Sequence, residues 1–592
     1  MHAPDLPAAL ARLRAMLFAM RHPGGHWEGR LSSSALSTAT ASFALAMLDR
    51  ARHGPRIAGG LAWIAAHANA DGGWGDTTAS TSNVSTTALC LAALGAGEGE
   101  ACAAAARRAD EWLAARAGGR GAPALARALA ERYGEDRTFA VPILTMCALA
   151  GRLEPEGWRV VPPLPFELAA LPRGLFRFLR LPVVSYALPA LIAIGQVRDA
   201  HLPHANAVRR ALRAALGRRT RAVLERIQPS SGGFLEAAPL TSFVAMSLAG
   251  AGRGDSPVAR RAEEFLVAGQ REDGSWAIDS NLAMWVTTLA VNALGTEPAA
   301  WAAGGPGARA RTLDWVLAGQ HGARHAYTGA APGGWAWTDL PGGVPDADDT
   351  AGALLALRQL DPTAVETRAA GALGVRWLLS LQNSDGGMPT FCRGWGHLPF
   401  DRSGADLTAH ALRAWNAWLP ALPALRGPLR RAIERALRYL GAAQRPDGSW
   451  VPLWFGNENA PGDENPTYGT ARVVTALAAL DPCGEVRQMC VRGAKWLAAA
   501  QHQDGGFGGA PGAAPTIEET AVAASALADA ARTAPELTAA ALRAGVWLAA
   551  RTEDGAPPSP IGFYFAKLWY HEDAYPVIFA IEAFSKMLHA HG

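Results

Sequence analysis

One short turn recurs along the chain and constrains its fold more than any other feature. It reads DGGW at Asp71 to Trp74, QREDGSW at Gln270 to Trp276, QNSDGGM at Gln382 to Met388, QRPDGSW at Gln444 to Trp450 and QHQDGGF at Gln501 to Phe507. Looser copies are QPSSGGF at Gln228 to Phe234 and GGW at Gly333 to Trp335. In the C-terminal half the copies return every roughly 50–60 residues, the mark of a repeat architecture. An aromatic lies five positions before most of the glutamines, as in Phe265, Trp315, Trp377, Tyr439 and Trp496. Ala/Leu/Val-rich segments of helical composition follow, such as Thr470 to Leu480 and Glu519 to Ala531. Each module is therefore predicted to be helix, glycine-rich turn, helix. Glycine supplies positive φ past a helix end, Asp bonds nearby amides, and Gln and Trp tie the turn to neighbouring helices. Helix pairs of this kind, with no strand-period segments between them, predict an all-α solenoid or a closed α/α barrel.

Composition narrows the class. With 49% hydrophobic residues, 18% charged residues and a net charge of +3, the chain is neither disordered nor a basic nucleic-acid binder. The length of 592 residues predicts two large helical domains. Cys90, Cys102, Cys147, Cys392, Cys483 and Cys490 form no CxxC pair, which fits a reducing, cytoplasmic setting. No secretory signal is read in the first twenty residues. The longest uncharged apolar stretch, between Arg180 and Arg198, contains Pro182 and Pro189, so a spanning helix is not expected.

One segment breaks the repeat. In GGWAWTDLPGGVPDADDT, Asp346, Asp348 and Asp349 crowd together before an apolar helix. They read equally as an acidic helix N-terminus favoured by the helix dipole, and as closely spaced carboxylates that repel one another and keep one protonated. A second segment, DLTAH, sets Asp406 and His410 one helical turn apart on one face.

DADDT after GGWAW, set among QxxDGSW turns, resembles the acid motif and turn repeats of the squalene-hopene cyclases, within the class II terpene cyclases. The resemblance runs from about Gly24 to about residue 580. It implies two α/α barrels: a second barrel over residues 25–255, and a catalytic barrel of residues 1–24 with 256–592. It implies that Asp348 protonates the terminal alkene of a polyprene such as squalene and starts a cationic ring-closing cascade. His410 would bond Asp348, with Asp346, Asp349 and Asp406 completing the catalytic set. Cations in an apolar cavity are held by aromatic faces, and similarity points to Trp285, Trp337, Phe391, Trp454, Tyr468, Phe563, Tyr564 and Tyr570 as substrate-binding residues. The tryptophans of the turns read as packing residues. No cofactor and no metal are implied.

The chain also departs from the family's pattern. Val286 follows Trp285 where the family carries Asp, Leu453 precedes Trp454 where it carries Arg, and Thr38 and Leu89 fall near positions of Glu. These changes bear on how a cascade ends. A squalene-like substrate is delivered from a membrane, and the stretch near residues 171–195, with Arg173, Arg177 and Arg180 just before or within it, reads as a monotopic contact. That would place the protein on the cytoplasmic face of the bacterial inner membrane, with a homodimer left open. Competing readings are a protein prenyltransferase, for which no Asp, Cys and His zinc set is found, a diterpene cyclase acting on a diphosphate, and a toroid that only binds.

Overall fold

The computed structural model describes residues 5–134, 137–154, 156–171, 188–391, 400–480, 483–563 and 566–591. The fold is all-α, built as two α/α barrels. In the larger, Ala283–Leu294 packs on Ala347–Leu360, which packs on Ala405–Trp418. The ring continues through Pro466–Ala478, Ile517–Ala531 and Tyr575–His591, which returns to Ala283–Leu294. Such inner helices are apolar all round, and Ile517–Ala531 is buried along nearly its whole length. The outer helices are amphipathic instead. Arg426–Ala443 buries Leu429, Ala432, Ala436 and Leu440, one stripe at three- and four-residue spacing, and turns its arginines outward. In the smaller barrel the inner helices are Ala35–Asp49, Val84–Leu94, Arg137–Leu149, Leu188–His201 and Ala238–Gly250, and the last packs back on the first.

The QRPDGSW turn shows how each stave is fixed. Gln444 Nε2 donates to Gly448 O within the turn (2.9 Å) and to Met489 O on the next outer helix (3.1 Å). Trp450 Nε1 donates back to Leu440 O (2.8 Å), and its backbone N–H donates to Thr470 Oγ1 on the following inner helix (2.9 Å). Asp447 accepts from Ser449 N (2.9 Å) and from the indole of Trp496 on the next outer helix (3.1 Å). Gly448 sits at φ +99°, where a Cβ would lie 2.9 Å from Arg492 O, so no other residue fits there without strain. The aromatic before each glutamine thus docks on the preceding turn.

The same bonds close both rings. Gln270 Nε2 reaches Arg56 O (2.9 Å), Trp63 Nε1 reaches Asp273 (3.1 Å), and Trp276 N donates to Thr38 Oγ1 (3.0 Å), joining the last turn of the smaller barrel to its first helices. In the larger barrel a turn at residues 21–27 does this with arginine in place of glutamine. Arg21 Nη2 donates to Gly25 O (2.9 Å) and to Ala308 O (2.8 Å), while Trp27 Nε1 donates to Leu17 O (2.7 Å). Helix Leu6–Ala19 is in consequence an outer stave of the larger barrel, packed on Tyr575–His591.

One expectation changes. Short strands are present after all: Ser33–Ser34 pairs with Trp276–Ala277, and Phe455–Gly456, Ile561–Phe563 and Leu568–Tyr570 form an antiparallel sheet. At two or three residues each they are too short to show a two-residue period. The stretch near 171–195 was expected to contact a membrane. Residues 172–187 lie outside the described residues, while Leu188, Ile192 and Ile194 are buried in an inner barrel helix. A buried helix and an interfacial one share the same sequence pattern. Among the described residues no helix is long and apolar enough to cross a membrane.

Replacing Gln382, which is buried and donates to Gly386 O (2.8 Å) and Ala432 O (3.0 Å), by leucine removes two such clamps. Urea unfolding of Gln382→Leu should show a loss of about 1–3 kcal/mol, since two bonds go and two carbonyls are left unsatisfied. Wild-type stability would refute the role given to the turn.

Candidate active site

Helix Ala347–Leu360 starts where the GGWAWTD segment meets it. Asp346 is its N-cap and accepts from Asp348 N and Asp349 N, both at 2.9 Å. Asp346 and Asp349 are buried, whereas the Asp348 side chain keeps 20% of its exposure. Asp348 Oδ1 lies 2.6 Å from His410 Nδ1, which helix Ala405–Trp418 presents one turn after Asp406. Burial, with the Asp348 charge added, pushes Asp346 up to about 7. Burial and the Asp346 charge push Asp349 well above the carboxylate range. The two therefore share a proton beneath the outward-facing Asp348.

Asp406 stands one turn before His410 on the same helix. Its oxygens accept from Leu453 N (2.9 Å) and Trp454 N (3.4 Å), so it fastens the segment after the QRPDGSW turn to the helix bearing His410. Burial and the Asp348 charge raise it to about 6. Asp406 is a positioning group.

The aromatic residues form two runs. Trp337, Phe391, Trp454, Phe563 and Tyr570 follow one another with ring centroids 6.1, 6.1, 4.4 and 5.7 Å apart. Trp285 lies 6.1 Å from the His410 ring and 6.3 Å from Phe455, and Phe455 lies 4.8 Å from Tyr468. The runs are joined at their start, because Trp337 O accepts from Met284 N and Trp285 N and so caps helix Ala283–Leu294, which has no side-chain cap. Tyr564 lies outside the described residues. The Arg472 guanidinium stands 4.8 Å over the Tyr468 ring and 5.0 Å over Phe579, so one face of Tyr468 already holds a cation.

Sequence reasoning missed Phe455, Phe400, Tyr575 and Arg472. Phe455 adjoins Trp454, and Phe400 stacks between Phe391 (5.2 Å) and Trp454 (5.6 Å). The Tyr575 hydroxyl meets that of Tyr570 at 3.1 Å. Only the aromatic density after Trp454 and in residues 563–579 could have signalled them. Of the departures from the family's pattern, Val286, Leu453 and Leu89 are buried apolar residues, and Thr38 is the ring-closing partner of Trp276.

Comparison with known proteins fits this geometry. The squalene-hopene cyclase N-terminal domain model matches residues 10–193, and the C-terminal domain model matches residues 280–553. The chain belongs to the squalene-hopene cyclase family. Within this family of class II terpene cyclases it is a divergent member. It is 31% identical over 249 residues to the squalene-hopene cyclase of Alicyclobacillus acidocaldarius, 35% of this chain and 33% of that protein. It is 32% identical over 281 residues to a drimenyl diphosphate synthase of Streptantibioticus cattleyicolor, 45% of this chain and 46% of that protein. A terpene cyclase-glycosyl transferase fusion protein of Humicola fuscoatra is 32% identical over 283 residues, 42% of this chain and 20% of that protein. The chain thus spans less than half the length of each of these curated relatives. The ent-copalyl diphosphate synthase from Streptomyces platensis shares the fold at a TM-score of 0.62 and 20% identity, over 99% of this chain and 100% of that one.

An acid whose folded pKa lies above its unfolded value binds more protons folded than unfolded, so stability falls as pH rises through the folded value. Asp346 (about 7) and Asp406 (about 6) have this sign, as do Glu458, Glu518 and Glu572, which burial pushes up to about 8. The melting temperature should fall as pH rises from about 5 to about 8, and Asp349→Asn should flatten the slope by roughly the one proton it removes from the pair. A flat wild-type profile would contradict the burial of these acids.

Proposed function

We propose that the chain is a proton-initiated polyprene cyclase in which Asp348 is the acid, most simply acting on squalene. The observation that carries this reading is the 2.6 Å contact between Asp348 and His410 at the head of helix Ala347–Leu360, with two further carboxyls buried behind it. An alkene is a very weak base, so its proton donor must be strong and yet protonated at rest. Once the proton has left, the new carboxylate is held by His410 and by the positive end of the helix on which Asp348 stands. The Asp346–Asp349 pair keeps that N-terminus fixed.

The first cation then forms beside Trp285, and later ones meet the run from Trp337 to Tyr570. Desolvated aromatic faces are each worth about 2 kcal/mol to a cation and cannot trap it covalently. Arg472 behind Tyr468 repels positive charge from that side and favours the Trp337 run. Delivery of so insoluble a substrate from a membrane surface belongs to the same proposal, as does a peripheral location on the membrane's cytoplasmic face.

A shorter polyprenyl diphosphate is the second reading of substrate. It is favoured by the drimenyl diphosphate synthase relative and by the apolar Val286 and Leu453, which stand where the family pattern carries charges.

Incubation of detergent-solubilised protein with squalene, farnesyl diphosphate or geranylgeranyl diphosphate, followed by GC-MS after dephosphorylation where needed, tests both. Asp348→Asn should lower cyclic product by about 10²–10⁴-fold with folding intact. Equal turnover by this variant would remove Asp348 from the chemistry, whereas no cyclic product from folded wild type on any of the three substrates would leave a toroid that only binds.

A further inference from the structure

The turn at Gln228 to Phe234 departs from its sister turns in two ways. Ser231 stands where Asp273, Asp385, Asp447 and Asp504 stand in theirs. The ring that packs on this turn is Phe265, which has no N–H for an Asp to accept, and the Ser231 hydroxyl donates to Glu236 Oε1 instead (2.6 Å). The residues after the aromatic differ as well. Leu235 and Glu236 both sit at positive φ (57° and 52°), whereas Ala277, Ala336 and Val451, which follow the aromatic in other turns, do not. Two consecutive non-glycine residues in the left-handed region are strained, and such strain persists only where the surrounding structure over-determines it.

The strained corner aims the Glu236 carboxyl at the loop ahead of Asp346. Glu236 is buried, and its Oε1 accepts from Gly342 N at 2.7 Å across 106 positions of sequence. Its Oε2 accepts from the Ser280 hydroxyl (3.3 Å) and its backbone carbonyl from Ser280 N (3.0 Å). Gly342 has no room for a side chain, because a Cβ would lie 2.5 Å from Glu236 Oε1. Gly343 N donates back to Leu340 O (3.1 Å), and Val344 is buried in the same apolar cluster as Phe234. Two residues further on, Asp346 caps the helix that carries Asp348. Glu236 is thus a residue of the smaller barrel fastened to the segment of the larger one that runs from Trp337 to the acid.

Resting on the reading of Asp348 as the acid, we propose that Glu236 is a positioning residue for the proton transfer. By holding Gly342 it sets where the first turn of helix Ala347–Leu360 begins, and hence where Asp348 stands against His410 and the substrate alkene. A reacting group displaced by about 1 Å can lose about 100-fold in rate. The strained corner is therefore kept for geometry, and no proton or electron moves at Glu236 itself.

The test combines hydrogen–deuterium exchange over residues 338–350 with turnover measured by GC-MS on squalene, farnesyl diphosphate and geranylgeranyl diphosphate. Glu236→Gly relieves the positive φ but removes the carboxyl, so exchange in that segment should quicken and kcat should fall about 10- to 100-fold with little change in KM. Glu236→Gln keeps an oxygen for Gly342 N, and the Ser280 hydroxyl can turn to accept from its amide, so most of the wild-type turnover and protection should return. Gly342→Ala breaks the same contact from the other side and should reproduce the Glu236→Gly loss, with the double variant no worse than either single one. Should Glu236→Gly fail to fold, Gly342→Ala, which leaves the smaller barrel intact, decides alone. Wild-type exchange over residues 338–350, wild-type kcat in the folded variants, or additive losses in the double variant overturns the inference while Asp348→Asn remains inactive. Wild-type turnover by Asp348→Asn overturns the underlying reading instead.

Discussion

Six staves of these barrels are each held by a side-chain amide that donates twice, once to its own turn and once to the next outer helix. The six clamps differ little: Gln228, Gln270, Gln320, Gln382, Gln444 and Gln501 all donate at 2.8–3.1 Å to a glycine carbonyl and to a helix carbonyl beyond it. Such bonds contribute about 0.5–1.5 kcal/mol each, but their geometry does more than their energy. They fix the step from one module to the next, so a ring closes only if every step is right. Helix packing alone, with its broad preference in crossing angle, would not define that closure.

The site inherits its position from the same turn. Because a turn always delivers the chain to the start of an inner helix, the helix N-termini gather at one end of the barrel. A cluster of carboxyls there meets two opposing fields. The helix dipole favours their ionised form, and burial with mutual repulsion favours their protonated form. Asp346 and Asp349 are resolved by burial and keep a proton between them, while the more exposed Asp348 is left to His410.

Much of this was legible in the sequence. The turns predicted helix pairs and a closed toroid because Gln, Asp, Gly and Trp each had a task that only a repeated corner could satisfy. The spacing of Asp406 and His410 announced a shared helix face, but not that Asp406 would be committed to the amides of Leu453 and Trp454. Thr38 was read as a missing acid and is a fastening hydroxyl, one of a series with Thr287, Thr350, Thr408, Thr470 and Thr520 that accept from turn amides. Threonine is common in helices, and nothing marks the members of such a series until the partners are seen. The same holds for Arg21, whose guanidinium does the work of an amide, and for Arg472, whose partner rings are brought together only by tertiary packing.

The arginine-clamped turn sets the order in which the larger ring can be finished. Arg12, on helix Leu6–Ala19, donates to Thr552 O across 540 positions of sequence (3.3 Å). The first stave of that ring to leave the ribosome is thus the one that waits longest for both neighbours. While the smaller barrel has all its staves in hand by about residue 276, helix Leu6–Ala19 keeps an apolar stripe of Ala9, Leu10, Leu13 and Leu17 uncovered during synthesis. Folding by such distant pairing is slow and exposes the chain to misassociation. Cotranslational assembly of this protein is therefore expected to be two-phased, an early smaller barrel followed by a late, cooperative closing of the larger one.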